Sequence, residues 1–304
     1  MKKTTTALAA LAWATGLAFA GSAQAASVES TFAAGVGNVA EDFSGEILLR
    51  NISTDPNTVQ LVPVTTGDFQ VGDLLVATFT IEKINGQNVG VGSGVNELTG
   101  ISVTRITAKT ATTAPLGAPV GSYSLYTMEP ASPAEFAAAS AIASGTAGVG
   151  AVSGGTMVQF YEDASNNFAT GPTIANSFAS AIDGLLRMEV GFNGSSDETW
   201  QAVAPTAFTG FLGLAGQDVG DFFYQLSLIA ENFGWTFADM PGLNVEFLGS
   251  GNLYRPSSNS PFPIEDDLKF SFNLTQDVPE PAALGLLGMG LLGFGLTRRR
   301  KAQG

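Results

Sequence analysis

The chain has 304 residues, with 13 Lys and Arg against 27 Asp and Glu, no cysteine and no histidine. Without cysteine there are no disulfides, thiol nucleophiles or zinc–thiolate sites, and without histidine there is no Ser-His-Asp or Cys-His hydrolysis. The formal net charge of −14 excludes nucleic acid as a natural partner, because that partner binds basic surface by counterion release.

Met1 to Ala25 reads as a secretory signal peptide. Lys2 and Lys3 form the charged start, and Ala7 to Ala20 form the apolar stretch. Ala23-Gln24-Ala25 fits the small-x-small pattern that signal peptidase cuts. That places the mature N-terminus at Ala26. Between Ala26 and Val278 lie seven of the 13 basic residues and 26 of the 27 acidic ones, a net charge near −19. Such acidity keeps an exported body soluble and would attract divalent cations or basic partners.

Residues 26–275 are expected to form one mainly-β domain, a β-sandwich with one or two short helical insertions. Phe43 to Ile52 reads as a strand. Asp73 to Ile84 alternates Leu75, Ala77, Phe79 and Ile81 on one face. Asn85-Gly86 follows as a type I′ hairpin pair, with Gln87 to Val95 as the return strand. Gly100 to Lys109 alternates Ile101, Val103 and Arg105 against Ser102, Thr104 and Ile106, which leaves its register open. Ser122 to Met128 is a short aromatic strand. Ser132-Pro133-Ala134-Glu135 starts a helix, with Ser at the N-cap, Pro first and Glu third, running to about Ser144. Gly145 to Gly155 is a loop without the Lys-Ser/Thr of a phosphate loop. Thr156 to Tyr161 is a strand, Thr173 to Ile182 a second helix, and Leu185 to Phe192, Phe222 to Glu231, Leu243 to Leu248, Asn252 to Arg255 and Leu268 to Leu274 are strands. A single domain is favoured over a break near Pro130, since the second half needs the strands of the first to cover its sheet.

Acid clusters are the chemistry on offer. Calcium takes six to eight oxygens from Asp, Asn and carbonyl groups. Glu162, Asp163 and Asn166 form one candidate set, and Asn193 with Asp197 a second. Neither matches an EF-hand loop, and both read more readily as solvated turns than as calcium sites. Calcium is thus the one cofactor considered, beside none at all. Two carboxylates also suffice for glycoside hydrolysis, but no local motif singles out a pair, and no catalytic residue is assigned. Trp200, Trp235, Tyr123, Tyr126, Tyr161, Tyr224 and Tyr254 would stack on sugar rings if exposed, or fill a core if buried.

The end of the chain carries the clearest signal. Pro279-Glu280-Pro281 leads into the uncharged run 282–297 and then into Arg298, Arg299, Arg300 and Lys301. About 16 helical residues reach about 24 Å, slightly less than the hydrocarbon core of a bilayer, and the basic cluster stays cytoplasmic. A permanent anchor and a buried core helix are the rival readings. The glycine-rich, short span and its Pro-Glu-Pro entry favour a processed signal. This tail, 276–304, resembles the PEP-CTERM sorting signal of Gram-negative bacteria, which has these three parts in this order. The resemblance implies recognition by an exosortase, transient insertion in the inner membrane, cleavage near the motif, and a setting in biofilm or exopolysaccharide. It covers the tail alone. The expected function is therefore an exported, non-enzymatic surface or matrix protein. A carbohydrate-binding module, with or without calcium, and a carboxylate-dependent glycosidase are the alternatives, and exopolysaccharide or other surface proteins are the expected partners.

Overall fold

A computed structural model describes residues 25–274 except 34, 56–57, 169–172, 234–235 and 258. The signal segment with Ala23, and the whole sorting tail with Pro279 to Pro281 and Arg298 to Lys301, lie outside the described residues, as do the terminal helices expected there.

Among the described residues the body is mainly β, with two α-helices. β1 (Gly35–Asn51), β3 (Leu74–Ile84) and β5 (Glu97–Thr112) are long strands of the first half. β7 (Thr156–Asp163), β8 (Leu185–Gly191), β10 (Asp218–Glu231), β12 (Phe247–Tyr254) and β13 (Ile264–Leu274) come from the second. These eight pair antiparallel in the order β3-β1-β13-β12-β10-β8-β7-β5, and β5 pairs back onto β3. The expected sandwich is therefore continuous at both edges: two facing layers over one core, closed into a flattened barrel. Closure leaves the long strands without a free edge.

The wall between β5 and β10 is split. Near one end β7 and β8 fill it. Near the other, β6 (Tyr123–Pro130) and β9 (Thr199–Pro205) take their place, β6 on the second half of β5 and β9 on the first half of β10. β2 (Leu61–Val64) extends the edge of β1, β4 (Gln87–Asn88) returns from β3, and β11 (Phe237–Ala238) pairs with the end of β13. The return strand expected over Gln87 to Val95 is only these two residues long. Asn85 and Gly86 both take positive φ, 53° and 76°, as a type I′ turn requires.

The strand alternation sorts the side chains. Ala40 and Leu48 of β1, Phe79 and Ile81 of β3, Phe270 and Phe272 of β13, and Phe222, Tyr224 and Leu226 of β10 face inward. Ile47 and Leu49 of β1, Leu74 and Val76 of β3, and Ile101 and Val103 of β5 face outward under the helices. Both faces of β5 are thus covered, which is why its alternation could not choose a register. The helices are α1 (Pro133–Ser144) and α2 (Ile174–Ala181). Phe136 and Ala139 of α1 and Phe178 of α2 close this second core, with Phe262 from the loop before β13.

α1 begins as its sequence dictates. Ser132 caps Glu135 N–H, and the Glu135 carboxylate accepts from Ser132 N–H at 3.0 Å. The same carboxylate pairs with Arg105 of β5, so the cap also ties the helix to the barrel wall. The helix ends at Gly145, whose φ of 64° is the left-handed conformation glycine adopts readily.

Candidate functional site

Inside the barrel, alternation on β1 places Asp42, Ser44 and Glu46 on the same face as Ala40 and Leu48. All three are buried. The β1–β13 register sets Ser44 opposite Asp266, Asp42 opposite Leu268 and Glu46 opposite Ile264. Asp266 thus faces Ser44 directly and has a carboxyl on each diagonal, within the reach expected of cross-strand neighbours. The flanking strands offer apolar side chains or none. On β3 these are Ala77, Phe79 and Ile81, and on β12 they are Gly251 and Leu253. Across the interior stand Ser102, Trp200, Phe222, Tyr224 and Leu226.

Burial, and then the charge of Asp266, push Asp42 and Glu46 well above the ordinary carboxylate range. Asp266 is also raised by burial, with Glu46 and Ser44 beside it acting the other way. Tyr224 is pushed up by burial and by the two aspartates. Asp42 Oδ1 accepts Leu268 N–H at 3.1 Å. Ser44 Oγ and Glu46 Oε2 are buried without a hydrogen-bond partner. The group borders a cavity of about 40 Å³, enough for a few water molecules and far too small for a sugar ring.

On the outer face of β1, β13 and β12 lies a wider hollow of about 460 Å³. Glu41, Phe43, Tyr254, Glu265, Asp267, Lys83 and Lys269 line it. Lys269 at 2.9 Å and Lys83 at 3.4 Å both meet Glu41, whose carboxyl they hold below its usual range. Tyr254 is half-buried here.

The two calcium candidate sets lie at opposite ends of β8. Glu162 is buried and committed. It accepts from Val28 N–H at 3.1 Å, Asn96 Nδ2 at 2.8 Å and Arg187 Nε at 2.7 Å. Asp163 accepts Ser165 N–H at 2.9 Å, and Asn166 sits beyond it in a left-handed turn. Asn193 and Asp197 lie past the far end of β8, about 20 Å away along a strand of that length. Asp197 accepts both the N–H and the Nδ2 of Asn244 at 2.8 Å, and Asn193 donates its N–H to Glu198. Among the described residues no three acidic groups converge as metal ligands.

Of the aromatic candidates, Trp200, Tyr123, Tyr126, Tyr161 and Tyr224 are core residues, and Trp235 lies outside the described residues. Sequence reasoning missed the interior carboxyls. Asp42-x-Ser44-x-Glu46 alternates in phase with Leu48, but the opposite face carries Ile47 and Leu49, so periodicity alone gave acidic residues no reason to point inward.

Fold and interior define a mainly-β domain closed around its own core, with its first and last described residues at one end of the barrel. Ala26 pairs with Val95, just before β5, while Leu274 ends β13 opposite Gly35 and beside Phe237. A family model for the PEP-CTERM protein-sorting motif matches residues 277–301, so the chain carries the motif of an exported, exosortase-sorted cell-surface protein. No curated protein and no solved structure matches the chain.

Proposed function

We propose that the body is a non-enzymatic structural or adhesive protein of the surface or exopolysaccharide matrix of a Gram-negative bacterium. Secretion, transient anchoring by 282–297 and exosortase cleavage near Pro279-Glu280-Pro281 deliver it. The sorting motif at 277–301 carries this reading. The barrel supports it: its interior is filled by its own side chains, and its buried carboxyls have no room beside them for a glycoside.

The outer hollow favours a second reading, a carbohydrate-binding body. Phe43 and Tyr254 supply aromatic surface, and Glu265 and Asp267 supply acceptors for sugar hydroxyls. One experiment addresses both. The surface-released protein is mixed with the host's own exopolysaccharide, with calcium and with chelator. Binding abolished by Tyr254→Ala supports the carbohydrate-binding reading at this hollow. Binding that vanishes with chelator makes calcium part of the site. Absence of binding in either condition leaves the structural reading and directs the search to protein partners.

A further inference from the structure

We propose that Glu46 and Asp266 share a proton inside the barrel, with Asp42 neutral beside them, and that ionising this group loosens the seam between β1 and β13. Three buried carboxyls on that seam face the interior. Among the described residues none of them forms a salt bridge with a basic side chain, and no Lys or Arg lines their cavity. Two carboxylates side by side are both acceptors, so they bond only through a proton or a cation. Glu46 Oε2 is buried and unpartnered, and Glu46 borders a second interior cavity of about 40 Å³ on its other side. A proton on Glu46 gives that carboxyl a donor and removes one buried charge. A full set of charges there, with no cation, would have the Leu268 N–H on Asp42 and otherwise only hydroxyls and rings.

The groups facing the cluster are few. β1 contributes Asp42, Ser44 and Glu46, and β13 contributes Asp266. β5 contributes Ser102, β10 Tyr224, β9 Trp200, and β6 Tyr126 across the second cavity. β3, β7, β8 and β12 contribute apolar side chains. Outside the wall, Asp267 and Glu82 add negative charge that raises Asp42 further. Asp42 borders both the inner cavity and the outer hollow.

The sign follows from the raised values. The folded state binds these protons more tightly than the unfolded chain, so their contribution is complete in acid and is lost as pH rises through the folded-state values. For each extra proton bound by the folded state, the folding equilibrium constant falls tenfold per pH unit over that window.

The test is urea denaturation of the full chain in detergent micelles from about pH 5 to about pH 9, beside Glu46→Gln. The glutamine amide mimics the protonated acid by donating to Asp266. The wild type is expected to lose stability with rising pH, and Glu46→Gln to flatten that slope and to exceed the wild type at the alkaline end. A slope unchanged by the substitution overturns the proposal. Stabilisation of the wild type, but not of Glu46→Gln, by calcium also overturns it, because the acids would then hold a cation. Should the variant fail to fold, infrared spectroscopy of the wild type near neutral pH decides: a protonated-carboxyl C=O band protected from exchange supports the shared proton, and its absence refutes it.

Discussion

Three aromatic rings in the barrel lie against glycines directly across the ladder. Tyr224 faces Gly249, Phe222 faces Gly251 and Phe79 faces Gly100. A methyl group added at each glycine would run into the facing ring. The absence of Cβ lets each ring lie over the neighbouring strand and fill the interior, a cross-strand device that also pins register. At Gly100 the added methyl also meets the carbonyl oxygen of Gln159 at 2.5 Å, a backbone atom that cannot swing aside. Gly100→Ala is therefore expected to cost about 3 kcal/mol, and Gly249→Ala about 1–2 kcal/mol, measured by urea unfolding. Glu162 belongs to the same scale. It was legible only as a possible calcium ligand, because sequence spacing shows the oxygen and not Arg187, brought beside it by β8. Glu162→Ala strips Arg187 of its carboxylate and is expected to cost about 3 kcal/mol. Millimolar calcium should stabilise neither the wild type nor the variant; stabilisation of the wild type that Glu162→Ala abolishes would return Glu162 to the ligand reading.

Elements with strong local chemistry could be read directly. α1 starts at Pro133 and ends at Ser144 as its capping box and Gly145 demanded, and the Asn85-Gly86 turn falls where expected. Ser132→Ala should cost about 1 kcal/mol in urea unfolding, the usual value of an N-cap. Glu135→Ala should cost more, since Arg105 loses its partner as well. Burial raises Glu135, but the bonds from Ser132 and Arg105 win and hold it below its ordinary value. Its contribution is present above the unfolded carboxylate range and is lost as pH falls through the folded value, opposite in sign to the interior acids. Elements that depend on tertiary context were not legible. β2 contains Pro63, which argues against a strand unless the strand lies on an edge, as this one does. β9 is a short alternation, Trp200-x-Ala202-x-Ala204, whose inward face has one large side chain. β12 looked like two fragments because Gly249 and Gly251 resemble breaks, whereas they are the seats of Tyr224 and Phe222.

At the scale of the whole molecule, mainly-β content with two helices was readable from alternation and turn signals. Closure was not, because it depends on β1 pairing with β13, β5 with β7 and β6 with β9, contacts remote in sequence. The ring places strands from before and after residue 130 side by side, and it brings Ala26 and Leu274 to one end. Leu274 is buried, and the family match begins three residues later, at 277. The sorting motif therefore follows closely in sequence on a strand fixed between neighbours. Replacing Pro279, Glu280 and Pro281 by alanine is expected to leave the barrel folded and its processing blocked, read as retention of the full-length chain in the membrane fraction. The most direct test of the account is the intact mass and terminal peptides of the form found outside the cell. The account predicts a chain that begins at Ala26 and ends near Pro279. A surface form with peptides spanning Ala25–Ala26, or containing residues 282–296, would contradict it.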